Sequence, residues 1–327
     1  MLAFLSAVCY AATYFLVRPG VRADDPDGGE FVTTVANAVS IGLIAAVALA
    51  LTGPPAWNAP GVAWFAASGF LGTFVGRWLL FEGVHRIGPV RAAAIASAAP
   101  IVTVASAMLV IGESASFAEA AASALVSLGI LMLISDEHVG HRHSAIPDSR
   151  HRGDESAEGM IGAGIIGRPP YAERPHGSVV VAASMAGTTA AIGSAVAYGF
   201  ARSARKVAMD AMPAPVFGAA IAVWAALVVT VVRQARRGRL GRSLRLLFVD
   251  VRPHQLASGF LSTLAQLAFF LALSYAPLAD VALISASENA IVLVLGIALF
   301  RHSERISWRI VVPAVCISVG AALVALS

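Results

Sequence analysis

The chain has 327 residues, is 58% hydrophobic and only 13% charged, and has a mean hydropathy of +0.77. A soluble domain averages about 25% charged residues, so too little polar surface remains to cover a water-soluble globule. The net charge of +4 arises from local basic tracts, and two cysteines, Cys9 and Cys316, with no metal-ligand spacing imply no disulfide framework.

A bilayer core of about 30 Å needs roughly 20 apolar residues as helix, and a helix satisfies its own backbone hydrogen bonds in lipid. In chain order this predicts spans at 2–17, 31–52, 61–82, 89–111, 115–135, 178–200, 212–232, 255–276, 279–300 and 307–326. The first span lacks the positively charged start of a signal peptide and is read as part of the fold.

Two short stretches occur twice. SAVCY at 6–10 returns as SAVAY at 194–198, and GFLGT at 69–73 returns as GFLST at 259–263. Between 69–112 and 259–302 the hydrophobic pattern runs in step, and one inserted residue brings Glu113 to Glu304. The chain therefore divides into 1–135, a polar linker at 136–177 and 178–327. Five spans in each half is an odd number, so tandem copies must cross the membrane in opposite directions. The expected fold is all-α integral membrane, with ten transmembrane helices in two inverted five-helix repeats, a design of many secondary transporters.

The linker is rich in charge, Gly, Pro and Ser and is expected to be disordered. It carries His138, His141, His143, His151 and His176, but no cysteine joins them and the spacing fits no standard zinc motif. A solvated polar tract is therefore favoured over a metal-sensing loop. The seventh loop, RQARRGRLGRSLRLLFVDVR at 233–252, has no acid before Asp250. It suits anionic lipid and, with Phe248 its only aromatic, offers no stacking platform for nucleic acid. Of 23 Arg and Lys, 19 fall in the odd-numbered loops. The positive-inside rule then places the linker and loop 233–252 in the cytoplasm of a multi-pass cell-membrane protein, and both termini outside.

Ionisable residues inside a span are costly and point to function. Glu288 lies near the middle of span nine beside Asn289, and Arg77 lies in span three. The repeat partner of Glu288 is Ala98, two residues before Pro100, which opens the helical ladder of span four. Glu288 could carry a proton, pair with a cationic substrate, or form a structural ion pair with Arg77. Tyr10 and its repeat equivalent Tyr198, Tyr14 and Gln266 are further cavity candidates, although helix packing explains them equally well. Glu82 reads as an interfacial partner of Arg86. Gly72 and Gly76 form a GxxxG step and are read as packing.

The run RIGPVRAAAIASAAPIVTVASAMLVIGE at 86–113 resembles the fourth span of EamA-type drug/metabolite transporters, with Pro100 mid-helix and Glu113 at the exit. In the second half SASENAIVLVLGIALFRHSERIS at 285–307 matches through Glu304, with Ala290 where the usual proline would stand. The resemblance implies a central cavity and the export or exchange of amino acids, other metabolites or toxic cations. It also implies cytoplasmic termini, opposite to the charge bias. The site expected from these readings is Glu288, Asn289, Arg77, Pro100, Gln266, Tyr10 and Tyr198, with no catalytic residue, metal or cofactor. Expected partners are a small-molecule substrate, the bilayer with anionic lipid at 233–252, and a second copy of the chain as a homodimer. A membrane enzyme is disfavoured because no histidine lies well inside a span. The rival reading is a scaffold or signalling protein acting through the basic loop and linker.

Overall fold

A computed structural model describes residues 1–17, 26–87, 98–112, 177–249 and 253–285, with isolated helical positions between 92 and 132 and beyond 286. The described elements are helical. They are α1 (Leu2–Val17), α2 (Pro26–Thr52), α3 (Ala59–Ser68), α4 (Arg77–Ile87), α5 (Ala99–Ser106), α6 (Gly177–Ala211), α7 (Pro215–Arg236), α8 (Leu240–Phe248), α9 (Pro253–Leu273) and α10 (Leu278–Ser285). Four segments among the described residues are long and apolar enough to cross a membrane: Glu30–Thr52, Ala59–Leu80, Pro215–Arg236 and Pro253–Leu273.

Apolar side chains face outward as well as inward, around an interior that mixes apolar core residues such as Phe65 and Phe270 with hydroxyl groups. Leu43, Leu109, Val228 and Phe260 point outward, while Ser6, Thr34, Asn37, Ser68, Thr103, Ser194 and Thr263 are buried. Soluble proteins bury apolar side chains and keep most Ser, Thr and Asn at the surface. An outward apolar face around a hydroxyl-rich interior suits lipid outside and hydrogen-bonded helix contacts inside.

Span three departs from a plain helix. A π-helical segment, Gly69–Gly76, joins α3 to α4. The wider turn brings Gly69 so close to α7 that a Cβ there would overlap the Ala222 carbonyl oxygen. Gly72 and Gly76 face Ala201 and the Tyr198 ring of α6 in the same way. The second copy of the motif, in α9, stays α-helical, and Gly259 meets Ala36 and the Thr33 carbonyl of α2.

A few long contacts organise the helices. α1 lies along α9, and α6 lies along α3, the π segment and α4; α9 also packs on α2, and the π segment on α7. α5 packs on α6, as α10 does on α1. The α1–α9 contact is pinned by the Ser6 hydroxyl, which donates to the Ala265 carbonyl at 2.8 Å. The α2–α9 contact is pinned by Thr263, whose hydroxyl donates to Asn37 Oδ1 at 2.8 Å.

Two boundaries differ from those read in the sequence. Span six does not end at residue 200, because α6 is a single helix of 35 residues that runs from Gly177 to Ala211. At 1.5 Å per residue that is ~52 Å, longer than the bilayer core. The segment at 233–252 is not only loop. After Gly238, at φ 64°, residues Leu240–Phe248 form α8, which rests on α2 and α7. Its Ser243 is buried, whereas Arg242, Arg245 and Phe248 are not. In span four the expected opening near Pro100 takes the form of a turn at Ala98. Ile101 there donates its N–H to the Ala98 carbonyl, and Pro100 sits in the first turn of α5, where a missing N–H costs nothing.

Candidate functional site

The candidate residues sit on α1, α4, α6 and α9 and just past α10; α6 packs on α4 and meets α9 and α10, and α1 packs on α9 and α10. α1 contributes Tyr10, and α6 contributes Tyr198, one helical turn before the Ala201 that packs against Gly72. Both tyrosines are half-buried. α4 begins with Arg77, one residue after Gly76, which lets the Tyr198 ring approach. Glu288 follows α10 and is half-buried, and Ser287 before it donates its hydroxyl to the Ile284 carbonyl at 2.8 Å.

Two further members lie outside the expected set. Arg202 and Arg205 belong to the interior of α6, where hydropathy alone places a loop. Arg205 is 6% exposed and stacks over two rings of α9, its guanidinium carbon 5.5 Å from the Phe269 centroid and 5.4 Å from that of Phe270. Arg202 lies 5.6 Å over Phe269. Arg202 Nη1 and Arg205 Nε have no hydrogen-bond partner among the described residues. A desolvated cation–π contact contributes about 2 kcal/mol, whereas removing a charge from water costs several kcal/mol after relaxation. The rings therefore only partly offset the burial of two guanidinium groups.

These groups share one electrostatic field. Arg202 is the charge that acts on Glu288. Arg205 acts most strongly on Tyr10, followed by Glu288, Arg77 and Arg202. Tyr198 feels Arg77 first, then Glu288, Tyr10 and Glu30. Glu30, buried in α2 and already engaged in an interaction of its own, also belongs to this surround.

Gln266 on α9 is 2% exposed, with Oε1 lacking a partner among the described residues. Pro100 is buried on α5, the helix whose Ser106 hydrogen-bonds Ser203 of α6. Ser203 lies between Arg202 and Arg205 in sequence, so α5 is tied to the part of α6 that carries both cations. Asn289, the linker histidines and the Tyr14 side chain lie outside the described residues. Glu82 is apart from the site: its Oε1 accepts from Arg86 Nε at 2.6 Å on an exposed face.

The signal for Arg202 and Arg205 is present in the sequence as two cations three residues apart, immediately after SAVAYGFA. Hydropathy falls there, and a window of apolar residues closes at 200. Only the aromatic pair on α9, more than sixty positions away, converts that charge from a loop into an interior.

The EamA-like transporter family model matches residues 1–135. Over those residues the chain is similar to that family. One solved structure, described only as "Crystal structure of protein", matches over 99% of this chain and 96% of its own, with a TM-score of 0.64 at 16% identity. At that identity the likeness bears on the fold alone. A search of curated proteins finds no match.

Proposed function

We propose that this EamA-type protein is a secondary transporter that moves a small organic solute by alternating access, with ten helices in two inverted five-helix repeats, 1–135 and 178–327, joined by a polar linker at 136–177. The observation that supports the reading is the packing of α6 on α4, α9 and α10 and of α1 on α9 and α10, which brings together the helices that carry Tyr10, Arg77, Tyr198, Arg202 and Arg205, with Glu288 just past α10. Charged groups brought together inside a bilayer protein favour a substrate or ion path over packing.

The pairing of helices supports the inverted repeat. Span one rests on span eight as span six rests on span three, and span eight meets span two as span three meets span seven. A two-fold relation between halves exchanges these pairs, and rocking about the shared contacts would open the central site to each side in turn. The substrate seat is assigned to Glu288, Gln266, Tyr10, Tyr198 and Arg77, with Asn289 beside it and Pro100 shaping span four.

Orientation follows from charge. With Arg202 and Arg205 inside α6, Lys206 is the one basic residue left on the side opposite the 19, and it pairs with Asp210 at 2.8 Å. The linker and α8 then face the cytoplasm, and export is the direction that the resemblance to EamA-type transporters suggests. Arg242 and Arg245 on the outer side of α8, with Phe248 beside them, suit a helix lying on anionic lipid.

Access is the property to test. In a Cys9→Ser, Cys316→Ser background, Gln266→Cys should react with a membrane-impermeant thiol reagent from either side of the membrane, and the balance should change when transport is driven. Labelling from one side only, whatever the drive, would count against alternating access.

A further inference from the structure

We infer that the seat formed by Arg202 and Arg205 takes the carboxylate of an organic anion, with its carbon body against the Phe269, Tyr10 and Tyr198 rings. This inference rests on the transporter reading and narrows its substrate class, away from a cationic solute that Glu288 alone would have suggested.

Charge balance is the first reason. Among the described residues of the site, three guanidinium groups, on Arg77, Arg202 and Arg205, face two carboxylates, Glu288 and Glu30. Among the described residues Arg205 makes no ion pair, and its Nε has no hydrogen-bond partner. An anion restores neutrality at that point; a cation increases the imbalance.

Donor geometry is the second. Arg205 is buried, yet its Nε is unpartnered among the described residues, as is Arg202 Nη1 one turn away. The Phe269 ring lies within 5.6 Å of both guanidinium carbons and the Phe270 ring 5.4 Å from that of Arg205, while Arg202 Nη1 and Arg205 Nε keep N–H groups to donate. Guanidinium groups with free N–H donors match the two oxygens of a carboxylate. The flat rings of Phe269 and the two tyrosines suit an apolar body better than a compact inorganic ion.

Access is the third. One helical turn beyond Arg202 and Arg205 on α6 are Lys206 and Met209, and both line a cleft of about 280 Å³ together with Asp210, Pro213, Leu273 and Ser274. A basic side chain thus lines a cleft one helical turn from the two cations.

The test uses the full chain purified in detergent. Thermal unfolding is followed at matched ionic strength with sodium benzoate, sodium succinate, benzamide, benzylammonium chloride and inorganic phosphate. At least one of the two carboxylates should stabilise the wild type more than benzamide or benzylammonium does. Its apparent affinity should fall about tenfold or more in Arg205→Gln and in Arg202→Gln, as expected for losing a charge-assisted bond. Arg205→Lys, which keeps the charge, should retain part of it. If Arg205→Gln does not give folded protein, Arg202→Gln and Arg205→Lys decide the matter. No preference for either carboxylate, wild-type affinity in Arg202→Gln, or stabilisation by phosphate alone overturns the inference. Flux into proteoliposomes separates the two readings. Carboxylate binding without flux keeps this seat and sinks transport, whereas flux of benzylammonium without carboxylate binding keeps transport and sinks the seat.

Discussion

Gly69 and Gly259, which head the two copies of the GFL motif, each stand where the neighbouring helix leaves no room for a Cβ. At Gly69 that atom would overlap the Ala222 carbonyl oxygen of α7, and at Gly259 it would lie 2.5 Å from the Ala36 Cβ of α2. Small residues allow this approach, and the close packing stabilises helix association where lipid supplies no hydrophobic drive.

Gly69→Ala and Gly259→Ala should therefore each destabilise the protein by about 1–3 kcal/mol, the usual cost of overpacking. Gly69 should be the more sensitive, because its nearest obstacle is backbone. Gly241→Ala on α8, with nothing within 4 Å, is the control and should be neutral or slightly stabilising. Thermal unfolding in detergent reads all three.

Thr263 holds α9 to α2 through Asn37. Thr263→Val keeps the shape and removes the donor, leaving Asn37 Oδ1 without this bond beside an Nδ2 that already has no partner among the described residues. The expected loss is about 1–2 kcal/mol. By contrast Asp210→Asn at the exposed end of the Lys206 pair should cost less than about 1 kcal/mol. Equal losses for the two would contradict this ranking of buried and exposed contacts.

The outer face of α8 should bind anionic membranes. Replacing Arg242 and Arg245 together by Gln should weaken association with phosphatidylserine-containing nanodiscs by about 1 kcal/mol per residue, with no change in neutral ones. A loss in neutral nanodiscs as well would mean that α8 is needed for packing on α2 and α7 instead.

Removing residues 140–172 should leave solute movement largely intact if the two halves carry the function. A scaffold acting through its linker would lose its activity on the same deletion. Flux in proteoliposomes and any loss of partner assembly in cells distinguish the two.

Legibility varies from helix to helix. The bounds of α1 agree with the span read from uninterrupted apolar residues, and Pro215 and Pro253 mark the starts of α7 and α9 near where hydropathy rises. The boundary after SAVAYGFA escapes a hydropathy reading because local charge looks the same whether water or Phe269 surrounds it. For α8, the recurrence of Leu240, Leu244 and Leu247 among arginines carries a helical period that the charge of the tract conceals. Tyr10, Tyr198 and Glu288 can be singled out by symmetry and by cost in lipid. Their joining through Arg202 depends on how α6 and α10 pack, which no local pattern encodes.

The most direct measurement compares small-molecule pools inside and outside cells carrying wild type, Glu288→Gln or empty vector, at matched membrane levels of the two proteins. The account predicts a solute that shifts with wild type alone, because Glu288 lies in the shared field of both halves. A shift common to wild type and Glu288→Gln would contradict the site, and three identical profiles would contradict transport itself.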